Sequence, residues 1–474
     1  MSVSAVAADR SVCAPLPVLG RDVRVPLVTG GEVDYAALDY AASAPALQRV
    51  WDDVAAYAPY YGSVHRGAGY LSQLSTDLFE NSRRTIAEFL GCGIEGGLGG
   101  AQSGKGGGGR REGDQVVFTR STTDSLNLLA AVLPQDTRVF VFETEHHASL
   151  LPWEQRADVA VTYLDAPRTP QQAVDILEKA LAEREPYGPA LVCVTGASNV
   201  TGELWPVREL AAAAHAHGAR IVLDAAQLVP HHPVDIAELD VDWVAFSGHK
   251  LYAPFGAGVL AGRADWLQDA APYLAGGGAS RKVSRRTDGG VDVEWHTTAA
   301  RHEAGSPNVI GAYAIASACR ALTEAGFEGL VAREQELINR VREGLAEVPE
   351  VNVLSLFGED AARVGVLSFV VEGWNSSHFA AALSAEYGIG VRDGLFCAHP
   401  LVRTLLGSEP QEPGECGAPD SAPGERSLNA IRVSFGAGTP DEHVERFLRA
   451  VKELVTDGAR WNYRTEDGRC VPAV

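Results

Sequence analysis

The chain has 474 residues, 46% of them hydrophobic: enough apolar material for a large core and too much length for one small domain, so two domains are expected. Its 40 Lys and Arg against 61 Asp and Glu give a formal charge of −21, which repels phosphate backbones and anionic lipid surfaces and argues against nucleic acid or membrane as partners. No window reaches the roughly eighteen uninterrupted apolar residues of a membrane span, no export signal opens the chain, and seven scattered cysteines without a CxxC pair imply reduced thiols, so the sequence reads as cytoplasmic.

Residues 1–39 carry no core of their own and are expected to pack on the second, smaller domain. Residues 40–310 are expected to form a large α/β domain. Within it, the glycine-rich stretch 91–114 predicts a flexible insertion; Lys105 is followed by Gly106, not by the Ser or Thr of a phosphate loop. A helix is predicted over 124–133. Strands are predicted at 137–144 (TRVFVFET), 190–195 (ALVCVT), 220–223 (RIVL) and 242–246 (DWVAF), each short, apolar and bounded by turn residues. Between the second and third of these lies PVRELAAAAHAH (206–217), with Pro at its start and Gly218 past its end, the punctuation of a helix. This alternation builds a mainly parallel sheet covered on both faces. From about residue 311 longer amphipathic helices (334–347, 442–454) mix with strands at 364–371 and 431–435, which predicts a small α+β domain over 311–474. A Pro-, Gly- and Glu-rich insertion at 407–426, carrying Cys416, interrupts it.

In open parallel sheets ligands bind beyond the carboxyl ends of the strands. There the sequence places Glu145, His146 and His147, then Ser198 and Asn199, then Asp224 and Gln227, and last Ser247, His249 and Lys250. A lysine beside apolar strand residues can have a lowered pKa and act as an amine nucleophile toward an aldehyde. An aspartate following RIVL can hold the charge of a protonated pyridine nitrogen. His146 offers a flat ring for stacking, and Asn199 and Gln227 can donate to a ring hydroxyl. Ser121, Thr122 and Thr123 gather hydroxyls and free N–H groups at a helix start, where phosphate is favoured. Ring, aldehyde and phosphate together describe pyridoxal 5'-phosphate. His215, His217, His231 and His232 have no evident carboxylate partners and read as solvated surface; no metal is expected, and the cysteines other than Cys397 read as inert.

The motifs LDYAASAP (38–45), YYGSVHRG (60–67), FTRSTTDSLNLLA (118–130), ETEHHASLLPW (143–153), SNVTGELWP (198–206), LDAAQ (223–227), SGHKLYAPFGAG (247–258) and EAGSPN (303–308) occur in the order and spacing of a known family. On them the chain resembles the class V aminotransferase family of fold-type I pyridoxal-phosphate enzymes, in its SUF-type cysteine desulfurase and selenocysteine lyase branch. The resemblance implies a large domain on a mainly parallel seven-stranded sheet and a smaller α+β domain. It implies Lys250 as the Schiff-base lysine, Asp224 as the ring-nitrogen partner and His146 as the stacking ring. Asn199 and Gln227 would address the ring oxygen. Thr122, Thr123, Ser247 and His249 would hold phosphate, with Ser306 reaching in from a neighbouring subunit where the family usually has Thr. A homodimer with shared sites follows.

In GIGVRDGLFCAHPL (388–401) the family places an arginine and, five residues later, the cysteine that takes sulfur; these are Arg392 and Cys397. Arg432, in IRVSFG, matches the anchor of the substrate carboxylate, a bidentate task suited to guanidinium. Arg66 in VHRG either touches substrate or cofactor or bridges subunits. The implied reaction is cysteine desulfuration through an external aldimine and a Cys397 persulfide, with a sulfur-acceptor protein as a further partner. The loop departs from the family pattern at Asp393, Leu395 and Phe396, whose charge and apolar character are expected to oppose a thiolate at Cys397. The competing expectation is another class V reaction (C–S lyase, epimerase or aminotransferase) with Cys397 a bystander.

Overall fold

The computed structural model describes residues 14–65, 67–93, 113–184, 188–407, 429–466 and 469–473. Arg66, Cys13, Cys416 and most of the two expected insertions lie outside the described residues.

Seven strands form the main sheet: β1 (Asp114–Thr119), β2 (Arg138–Phe142), β3 (Ala160–Leu164), β4 (Ala190–Thr195), β5 (Arg220–Asp224), β6 (Trp243–Ser247) and β7 (Gly258–Arg263). Their order is β1-β7-β6-β5-β4-β2-β3, and β7 runs antiparallel to both its neighbours while β2 to β6 pair in parallel. The predicted apolar runs are strands because alternate residues bury on opposite faces. Phe140, Val192, Ile221 and Val244 join one core with Leu210 and Ala214 of α2 (Val207–Ala216), whereas Val139, Leu191, Val222 and Ala245 join another with Leu126 and Leu129 of α1 (Thr122–Val132).

Helix α3 (Val309–Ala325) adds Ile315, Ala318 and Leu322 to the first core, and α4 (Phe327–Ala346) then crosses from that core at Leu330 to a further one at Leu337 and Val341. This further core packs under a four-stranded antiparallel sheet, β8 (Val351–Val353), β9 (Val366–Val371), β10 (Arg392–Gly394) and β11 (Ala430–Ser434), in the order β8-β9-β11-β10. Helices α5 (Ser376–Tyr387) and α6 (Asp441–Asp457) supply Phe379, Leu383, Phe447 and Val451 to it. Among the described residues no helix is long and apolar enough to cross a membrane.

Two connections bring the sheets together. Residues 36–44 cross between them: Ala36–Ala37 pairs with Ile389–Gly390, the Ala41 N–H donates to Ser434 Oγ (2.9 Å), and the Ala44 N–H donates to the His249 carbonyl (3.0 Å). The loop after β4 is the second. Glu203 is fully buried and accepts from Ser355 Oγ (2.6 Å), the Leu356 and Phe357 N–H groups (both 2.9 Å) and Arg363 Nη2 (3.3 Å). Removing a carboxylate that satisfies this many buried donors leaves the Arg363 cation without its anion, a loss of about 3–5 kcal/mol. Glu203→Ala is therefore expected to lower the urea midpoint by that equivalent, and a midpoint within about 0.5 kcal/mol of the parent, the size of an ordinary surface substitution, contradicts the clamp.

Candidate active site

The carboxyl ends of β2, β4, β5 and β6 deliver His146, Asn199, Asp224 and Lys250 to one cleft of about 230 Å³. Thr122, Thr123, Gln227, Ser247 and His249 line it from the same side; Arg392, Cys397 and Arg432 line it from the smaller sheet. A larger cleft of about 730 Å³ along His65, Arg83, His296 and Glu303 shares none of these residues. Ser306 is exposed and lies outside the Lys250 cleft, between Gly305 and Pro307, which line the larger one.

Asp224 is 4% exposed, and its oxygens accept from Ser149 Oγ (2.6 Å) and the Ala226 N–H (2.9 Å). Burial lowers the Lys250 amine to about 8; Asp224 opposes this and Arg432 adds to it. At that value about a tenth of the amine is free base at pH 7, far more than for an ordinary lysine, as an attacking amine requires. Burial, then Lys250, pushes His146 down to about 3, and its Nδ1 accepts from the Ala148 N–H (3.0 Å), so the ring is the neutral Nε2–H tautomer.

At the other end, Ser121 caps α1 through the Asp124 N–H (3.3 Å). The Thr122 N–H and hydroxyl both meet Ser247 Oγ (2.7 and 2.8 Å). Hydroxyls at the start of an eleven-residue helix form a donor set for phosphate. A free amine, an anchored carboxylate, a neutral flat imidazole and this donor set fit pyridoxal phosphate. Gln227 Nε2 donates to the Ala41 carbonyl and Asn199 Nδ2 to the Phe396 carbonyl (both 2.8 Å), so these amides also tie the cleft to the crossing segment and to the cysteine loop.

Cys397 is exposed, and Phe396 and Cys397 both adopt left-handed backbone (φ 52° and 54°). Two successive non-glycine residues there cost about 1–2 kcal/mol each. Asn199 holds the Phe396 carbonyl, and the His147 N–H donates to the Cys397 carbonyl (2.8 Å). Phe396, Ala398, Leu401 and Val402 bury together beneath the loop.

The three departures do not bury the Cys397 thiol. The Asp393 carboxylate accepts from Ser377 Oγ, and burial followed by Asp393 raises the Cys470 thiol. Leu395 packs against the cluster beneath the loop, and the Phe396 ring covers the Arg432 guanidinium at 5.1 Å, so neither removes the Cys397 thiol from water.

Two histidines also differ from expectation. His231 is buried with Nδ1 2.6 Å from Glu334, and His215 meets Asp242 (2.8 Å) and Asp240 (3.2 Å). Their partners come from 103, 27 and 25 residues away, beyond what local spacing reveals. Sequence reasoning also missed Ser149, Asp39 and the state of Glu145. Ser149 stands four residues after Glu145 within ETEHHASLLPW, and no signal marked it as the donor to Asp224. Glu145 is buried, accepts the Thr195 N–H (2.8 Å), and burial together with Asp224 raises its carboxyl well above the usual range.

A strand-end lysine, an anchored aspartate and a hydroxyl-rich helix start on this sheet order are the architecture of fold-type I pyridoxal-phosphate enzymes. Residues 36–95 and 109–447 match the aminotransferase class-V family model, and the chain belongs to that family. It is 36% identical over 380 residues to a cysteine desulfurase of Pectobacterium atrosepticum, covering 77% of this chain and 85% of that one. To a probable cysteine desulfurase of Halobacterium salinarum it is 33% identical over 452 residues, covering 94% and 95%. Among solved structures, the apo cysteine desulfurase of Thermococcus onnurineus superposes with a TM-score of 0.72 at 30% identity, covering 89% of this chain and 94% of that one. The cysteine desulfurase CsdA from Escherichia coli gives 0.70 at 27%, with the same coverage.

The lowered Lys250 pKa sets a pH dependence. Uptake of pyridoxal phosphate by the cofactor-free protein, followed by absorbance, is expected to rise with the unprotonated amine to a midpoint near pH 8. A rate that climbs on toward 10.5 contradicts the burial of this amine.

Proposed function

We propose that the protein is a pyridoxal-phosphate-dependent cysteine desulfurase that takes sulfur from cysteine, or selenium from selenocysteine, onto Cys397. The observation that carries this reading is the placement of an exposed cysteine at the Lys250 cleft, on a left-handed loop held by Asn199 and by the backbone beside His146. In this reading residues 40–310 form the cofactor-binding domain, and residues 311–474 bring Arg392, Cys397 and Arg432 to it. Lys250 would carry the aldehyde, Asp224 the ring nitrogen, His146 the ring face, Asn199 and Gln227 the ring oxygen, and Thr122, Thr123, Ser247 and His249 the phosphate. Ser306 would complete the phosphate site of a second copy in a homodimer. The cytoplasm, where thiols stay reduced, suits a persulfide carrier that passes sulfur to an acceptor protein.

When bound, the cofactor supplies an electron sink for the pair left on the substrate α-carbon. Lys250 Nζ removes the α-proton. Arg432 and Arg392 hold the α-carboxylate, which fixes which face of the α-carbon meets Nζ. The Cys397 thiolate attacks the substrate sulfur; the S–S bond forms as the C–S bond breaks, the electron pair leaves with the β-carbon, and protonation there, with return of the α-proton from Lys250 Nζ, gives alanine. The neutral His146 ring leaves the positive charge of the cleft to the two guanidiniums and the amine.

Cys397→Ala is expected to retain the absorbance of bound cofactor while alanine formation from cysteine falls by roughly a thousandfold or more, as when a nucleophile is deleted. Unchanged alanine or sulfide formation in this variant would instead make Cys397 a bystander and favour another class V reaction.

A further inference from the structure

Arg392 and Arg432 stand directly opposite each other in the antiparallel pair of β10 and β11. Like charges facing across a ladder repel; Arg392 is exposed and water screens its end of the pair, whereas Arg432 is 3% exposed and depends on protein partners. Arg432 Nη2 donates to Asp39 Oδ1 (2.8 Å) and Nη1 to the Asn199 carbonyl (3.1 Å). Its Nε is buried and has no partner among the described residues. The Phe396 ring lies over one face of the guanidinium, which leaves its plane as the route for a further anion.

Asp39 comes from the segment that crosses between the sheets and is not among the residues lining the cleft; it reaches the cleft through its contact with Arg432 and, as the smallest contribution, through its charge on Lys250, which bears equally on alanine and aspartate. Asp224 stands at the opposite end, engaged by Ser149 and Ala226, and Asp393 is engaged by Ser377. Two guanidiniums against the Asp39 carboxylate leave one positive charge at this end of the cleft. That charge matches a single substrate carboxylate.

We infer that Asp39 is a positioning residue that sets the substrate class. By neutralising one guanidinium of the Arg392–Arg432 pair, it makes the cleft favour amino acids with one carboxylate and an uncharged side chain over those with a second carboxylate, such as aspartate. The inference rests on the proposed use of Arg432 and Arg392 for the α-carboxylate. Without the Asp39 charge, the second guanidinium is open to a side-chain carboxylate.

Asp39→Asn keeps an oxygen for Arg432 Nη2 and removes the charge. Purified holoenzyme is titrated with L-alanine and with L-aspartate, and binding is followed by the change in cofactor absorbance. The variant is expected to tighten aspartate relative to alanine by at least about tenfold, the equivalent of about 1.4 kcal/mol. Asp39→Ser is expected to shift the ratio the same way, and Asp39→Glu, which keeps the charge, to restore the parent ratio. An unchanged ratio in both neutral variants overturns the inference. Failure of both to hold cofactor overturns it too, since Asp39 then serves the fold and not selection. Absence of cysteine turnover in the parent enzyme sinks the desulfurase reading alone, because the alanine and aspartate titrations do not require sulfur transfer.

Discussion

An amine at the end of the fully buried strand Trp243–Ser247 has lost much of its hydration, and that loss organises the cleft around it. Desolvation disfavours the ammonium, Asp224 across the cleft partly offsets it, and Arg432 works in the opposite direction. The same field acts on neighbouring groups. His146 and His249 are both lowered, first by burial and then by Lys250, so the imidazoles around the amine are neutral. Glu145, behind Asp224, is pushed the other way toward its protonated form. Asp224, by contrast, is engaged by the Ser149 hydroxyl and the Ala226 N–H.

Contacts between the two sheets concentrate on the residues that handle ligand. Ser368 Oγ donates to the Val200 carbonyl, Arg432 to that of Asn199 and Arg363 to that of Thr201, so the loop after β4 is fastened residue by residue to the smaller sheet. Asn199 faces the cleft and also grips the cysteine loop through Phe396. A shift of the smaller sheet would therefore move Cys397, Arg432 and Asn199 as one unit, which couples the cysteine loop to the floor of the cleft.

The main sheet was legible because short apolar runs bounded by turn residues admit few other structures, and the polar residues at the strand ends follow once the sheet is parallel. Lys250, Asp224, His146 and Asn199 meet in the cleft for that reason. The antiparallel return of β7 carries no such mark, since Gly258–Arg263 reads as another short apolar segment. Partnerships spanning long chain distances were not legible: Ser149 with Asp224, His231 with Glu334 and Arg432 with Asp39 are 75, 103 and 393 residues apart. The placement of Asp393, Leu395 and Phe396 was not legible for a different reason. Their composition was plain, but a left-handed turn at Phe396 and Cys397 sends the apolar side chains under the loop and leaves the thiol outside.

Reductive trapping of the bound cofactor with borohydride, followed by peptide mapping, addresses the covalent centre of this account directly. The chain has five lysines: Lys105, Lys179, Lys250, Lys282 and Lys452. The cofactor mass is predicted on the peptide containing Lys250 and on no other. Its appearance on any of the remaining four, or on none, would contradict the account.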